Sequence, residues 1–257
     1  DMIDIENVKK EFKNYVSQFN PNEGRIKLKI DHIQRVAEIS KKIAINLKLN
    51  DEQIKLAEVI GIFHDIGRFK QVEMYNTFSD KDSINHGELG VKVLYEDNLI
   101  QKFKIDEKYN RIIKCAILNH NRAKIEDNLT DEELLFSKII RDADKLDIYY
   151  TICEYDFKSI FWYKDFDCQK ISEKIMENLR KSELIDYKDI KNNADVIAIF
   201  YAYIYDFNFK FSLKYIKDGG YLEKFASRVI EEFKSDIIKN QMQEILEISK
   251  EYINKIS

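Results

Sequence analysis

The chain has only four histidines, His32, His64, His86 and His120, and each stands on or beside an apolar stripe at helical spacing. His32 is in line with Leu28, Val36, Ile39 and Ile43, His120 shares a face with Ile113, Ala116 and Ile117, and His64 follows Ile60 by one turn. Residues three and four apart lie on one face of a helix, so these imidazoles are expected to turn toward the core. His86 precedes Gly90 by one turn, where a missing side chain would let a second helix approach. Asp144, between Ile140 and Ile148, repeats the pattern for an acid, and a buried carboxylate needs a cation or several donors. Each residue alone would pass for a hydrogen-bonded core residue. Together they read as imidazoles and carboxylates converging on a transition metal. The His64-Asp65 dipeptide adds to this, because adjacent residues at a helix end can reach one metal from two directions and the carboxylate can bridge to a second.

The elements that must position these residues read as helices throughout. A period near 3.6 predicts helices over 3–19, 27–48, 51–66, 84–103, 107–120, 130–153, 168–183, 187–206, 208–217 and 221–255, and no stretch alternates as a strand would. Asp51 opens one apolar-periodic run, Thr130 with Glu133 reads as a capping box, and Ser83 is placed to cap the helix carrying Asn85 and His86. A loop is expected from Gly67 to Asp82. Aromatics crowd the C-terminal part, at Phe161-Trp162-Tyr163 and from Phe200 to Phe211, and are read as core packing.

Composition supports the helices. The 257 residues include 7 Gly and 1 Pro, where an average chain carries roughly 7% Gly and 5% Pro, which argues against a turn-rich β-sandwich. With 44% hydrophobic residues the chain is too apolar for disorder. The net charge of −4 argues against a dedicated nucleic-acid binder. Cys115, Cys153 and Cys168 show no CxxC spacing, so neither a disulfide framework nor a structural zinc site is indicated. No apolar run is long enough for a membrane span, and the start lacks the pattern of a signal peptide, so the chain reads as cytoplasmic. No linker or repeat marks a boundary, and a single all-α domain is expected.

The order His32, His64-Asp65, His86, His120, Asp144 resembles the HD superfamily of metal-dependent phosphohydrolases. Ile62-Phe63-His64-Asp65-Ile66-Gly67-Arg68 is similar to its core motif, and Arg141-Asp142-Ala143-Asp144-Lys145-Leu146-Asp147 resembles its final acidic motif. The resemblance covers roughly 27–150. It implies an N-terminal helix and loop over 1–26, an HD metal-binding core over 27–150 and extra C-terminal helices over 151–257 packed on the core. It also implies one metal on His32, His64, Asp65 and Asp144 and, as in dinuclear members, a second on Asp65, His86 and His120. Iron or manganese suits these donors, with zinc, nickel, cobalt and magnesium still open. Asn121 departs from the cyclic-dinucleotide branch, which has a second histidine there and a Gly-Tyr-Pro motif absent here.

The implied activity is hydrolysis of a nucleotide or other small phosphoester by a metal-activated water. Asp65, Arg68 and Lys145 are the catalytic candidates, with Arg68 able to fork onto a phosphate. Arg68, Lys70, Asn85 and Arg122 are candidates for substrate binding, with Tyr75 and Thr77 from the same loop as further lining. Glu88 and Asp147 are candidates for orienting the ligating imidazoles. Two other readings use the same residues: a mixed-valent di-iron oxygenase of the HD superfamily, and a non-catalytic HD regulatory module. The expected partner is a small phosphorylated molecule, neither a membrane nor nucleic acid, and the aromatic C-terminal half would suit a homodimer interface.

Overall fold

A computed structural model describes residues 2–256. Among the described residues there is no strand, and the chain is all-α as its period predicts. Packing divides it into two compact units, 1–144 and 145–257. The division falls within one continuous helix, Asp131–Glu154. That is why no linker composition marks it.

The first unit begins with α1 (Ile5–Val16), α2 (Gly24–Asn46) and α3 (Asp51–Phe63). The Asn50 side chain accepts from Gln53 N, and the Gln53 side chain accepts from Asn50 N, so α3 is capped one residue before the expected Asp51. Helices α2 and α3 pack against each other at Gly61, where a Cβ would stand 2.6 Å from Ala37 Cα. The stripe carrying His32 is buried at Val36, Ile39 and Ile43, but Leu28 is 48% exposed.

The stretch expected to be a loop opens with a helix, α4 (Gly67–Tyr75), which ends at Asn76 in the left-handed conformation. Phe69 and Val72 are buried one turn apart, and this short apolar stripe is masked in the sequence by the glycine that starts it. Next, α5 (His86–Val91) runs into a π-helical turn over 92–96, and Asn98 at φ 59° separates it from α6 (Ile100–Phe103), so the single helix expected over 84–103 is broken. Asn85, not Ser83, caps α5, accepting from Glu88 N, while the Ser83 hydroxyl donates to Ser79 O. After α7 (Asn110–His120) comes α8 (Asp131–Glu154). Thr130 accepts from Glu133 N as predicted, but the Glu133 carboxylate takes Arg111 instead of closing the box.

The second unit holds the last part of α8 and α9 (Glu173–Arg180), α10 (Asn193–Ala202), α11 (Lys210–Gly219), α12 (Tyr221–Phe233) and α13 (Asp236–Ile256). The helix expected over 221–255 breaks at Lys234, at φ 52°, and restarts under Ser235, whose hydroxyl accepts from Ile238 N. Of the aromatics from Phe200 to Phe211, Tyr201 is buried and stacked on Phe225, and the rest are half-buried.

Candidate metal centre

Helix ends in the first unit deliver three of the histidines, and His32 comes from within α2. His64 caps the C-terminus of α3 and His120 ends α7, where carbonyls lack partners within the helix. Each imidazole uses this: His64 Nδ1 donates to Gly61 O at 2.6 Å and His120 Nδ1 to Ile117 O at 2.5 Å. The chain then turns through Asp65 and Ile66 into α4, which aims two successive side chains at one point. Gly67 sets the next approach, because a Cβ there would lie 2.3 Å from His86 O and 2.6 Å from Gly90 N. The close contact anticipated at Gly90 is therefore enforced chiefly by Gly67, and it brings the start of α5, with His86, against Asp65.

Two groups of ligand atoms result. In the first, His32 Nε2 stands 3.3 Å from His64 Nε2, 3.3 Å from Asp65 Oδ2 and 3.1 Å from Asp144 Oδ1, and His64 Nε2 lies 3.5 and 3.4 Å from the same two oxygens. A tetrahedron with such edges has its centre about 2.0 Å from each corner, the bond length of a first-row metal to nitrogen or oxygen. In the second group, Asp65 Oδ1 is 3.2 Å from His86 Nε2 and 3.3 Å from His120 Nε2, with the two nitrogens 3.0 Å apart. Three atoms leave positions open for water or substrate. Asp65 serves both groups, one oxygen to each.

The protonation pattern makes three of the four imidazoles acceptors toward these groups. His86 Nδ1 donates to Asp80 Oδ2 at 2.7 Å, so His64, His86 and His120 all turn an Nδ1–H outward and an Nε2 lone pair inward. Lone pairs and carboxylate oxygens 3.0–3.5 Å apart repel unless a cation sits among them. The donor set therefore fits a divalent metal in each group. Asp65 is 3% exposed. Burial alone would raise its carboxyl, but the Lys29 ammonium, Nζ 2.9 Å from Oδ2, holds it well below the usual range.

The other expected residues are placed differently. Arg68 Nη1 donates to Gln71 Oε1, Phe78 O and Asp80 Oδ1, which links it to His86 through Asp80. Asn85 lies beside His86 and accepts from Asn121 Nδ2. Lys70 is paired with Asp97 and Arg122 with Glu126, and in the second unit Lys145 is paired with Asp206 at 2.5 Å. Tyr75 and Glu88 are exposed and Thr77 is half-buried. Two residues passed over in the sequence stand at the site. Asp80 orients His86 and also accepts from Gln71 Nε2 and Asn121 Nδ2. Lys29 lies three residues before His32, on the face where Leu28 was expected.

An all-helical fold with clustered histidine and aspartate ligands defines a class of candidate metalloprotein, and the comparison with family models agrees. The HD domain matches residues 30–149, and the chain carries a domain of the HD superfamily. No curated protein and no solved structure matches the chain. No helix among the described residues is long and apolar enough to cross a membrane.

Proposed function

We propose that the protein is a metal-dependent phosphohydrolase acting on a nucleotide or other small phosphoester. The observation that carries this reading is the pair of ligand groups joined by Asp65. Two divalent metals held there, iron or manganese by preference, would activate a water and polarise a phosphoryl oxygen. His32, His64, Asp65 and Asp144 would hold one, and Asp65, His86 and His120 the other. Asp80 fixes the tautomer of His86, and Asn85 with Asn121 braces the same turn. Arg68, tied to the His86 side of the site through Asp80, would add positive charge near a bound phosphate. Lys70, Arg122 and Lys145 would contribute only by leaving their carboxylate partners.

The test is release of phosphate or nucleoside monophosphate across a panel of nucleotides and simple esters, with protein loaded with manganese or iron. Hydrolysis abolished by Asp65→Asn is the expected result. A metal-replete protein inert to the whole panel would overturn the reading. Oxygen consumption with a polyol or phosphonate would replace it with the di-iron oxygenase that these six ligands also suit.

A further inference from the structure

Hydrolysis of a phosphoester needs a cation with free donors close to the reacting group, and the structure offers one that the sequence reading passed over. Lys29 is held on α2, one turn before His32, with Nζ 2.9 Å from Asp65 Oδ2, the oxygen facing the first ligand group. Its side chain is 17% exposed, so it is neither free on the surface nor sealed in the core. Arg122 and Lys145 are held by Glu126 and Asp206. Arg68 spends Nη1 on Gln71, Phe78 and Asp80.

We infer that Lys29 grips the phosphoryl group of the substrate beside Asp65, and that Arg68 serves it as a positioning residue by fixing the Phe78 segment. The inference rests on the phosphohydrolase reading for the kind of anion, an oxyanion with several oxygens.

The geometry supplies the parts. An ammonium has three donors, of which one goes to Oδ2, leaving two for an oxyanion arriving at the same carboxylate. Phe78 walls the stem: the Lys29 ammonium lies 5.4 Å from its ring centroid and the Arg68 guanidinium carbon 5.3 Å, and the Phe78 carbonyl accepts from Arg68 at 2.6 Å. A cation held against a ring face and a carboxylate has few places to go, so it is preorganised. The alternative is that Lys29 only offsets the charge of Asp65. In that case its loss would change metal binding and leave anion binding alone.

The experiment is titration calorimetry of orthophosphate into the manganese-loaded full chain, for the parent, Lys29→Gln and Lys29→Arg, with metal content measured on the same samples. The expected result is metal content as in the parent, phosphate binding about tenfold to a hundredfold weaker in Lys29→Gln, the loss of one charge-assisted contact, and recovery to within a few-fold in Lys29→Arg. Equal phosphate binding by Lys29→Gln and parent would overturn the inference, as would a Lys29→Gln protein that loses metal and phosphate together. A parent that binds phosphate through Lys29 yet hydrolyses no ester would end the phosphohydrolase reading and leave Lys29 as an oxyanion ligand.

Discussion

Replacing Gly67 by alanine tests how the fold builds the second ligand group. A Cβ at this position would sit 2.3 Å from His86 O and 2.6 Å from Gly90 N, both backbone atoms that no rotamer change can move. Restoring ordinary contact requires α4 and α5 to separate by about 1 Å, and overpacking of this kind costs about 1–3 kcal/mol. Ligand atoms tolerate only about 0.2 Å around their preferred metal distances, so the same displacement takes His86 away from Asp65 and His120. Gly67→Ala is expected to lose one of two bound metals and to shift the urea midpoint downward without changing the slope. Gly61→Ala makes the complementary case, with its Cβ 2.6 Å from Ala37 Cα, and should instead separate His32 from His64. Gly90→Ala is the control: its Cβ would meet Gly67 N at 3.4 Å, and its effect should stay within about 1 kcal/mol, partly offset by alanine's better helix propensity. Elemental analysis and urea denaturation of the three variants decide the matter. A Gly67→Ala protein with the parent's stability and metal content would refute the packing argument.

Three further outcomes follow from the same geometry. His86→Ala combined with His120→Ala should take metal content from about two per chain to one, whereas unchanged content would make both histidines structural or substrate-facing. The Asp80 carboxyl is held below its ordinary value, burial being outweighed by the Gln71 hydrogen bond and by His86. Its stabilisation is then full above about pH 4 and lost as pH falls through the lowered value, so Asp80→Asn should flatten acid unfolding in that range, read by circular dichroism. Burial pushes the thiols of Cys115 and Cys153 up to about 11, which leaves roughly a hundredfold less thiolate at pH 8 than an unshifted thiol would have. Iodoacetamide labelling followed by mass spectrometry should find both slow, and rapid labelling at pH 8 would contradict the raised thiols.

A histidine on an apolar helical stripe is itself a periodic signal, and the helix period carried His64 and His120 into the core, while Asp144, expected to be buried, keeps 32% of its side chain exposed. Residues that reach the site through loops carried no such signal. Asp80 stands in Ser79-Asp80-Lys81-Asp82, and only the turn that leads to Asn85 selects it over Asp82 as the partner of His86. Lys29 was missed for a different reason: the residues three and four before His32 lie almost equally on its face, and the apolar Leu28 looked like the continuation of the stripe. Helix α4 was read as loop because Gly67 resembles a stop, although here it is small so that α5 can cross. The break before α13 has neither Gly nor Pro, and Ser235 reads as a helix start only once the left-handed Lys234 is seen.

Asp65 gives the site an uneven tolerance to change. Its Oδ2 faces His32 and His64 while its Oδ1 faces His86 and His120, so a cation in either group draws on the charge of the same residue. Filling one group leaves a less basic oxygen for the next, and stepwise affinities should be spaced apart, with the weaker occupancy set by supply. Any histidine lost removes a ligand from a single group, and the other group then has the shared carboxylate to itself. No other residue of the six stands in both groups.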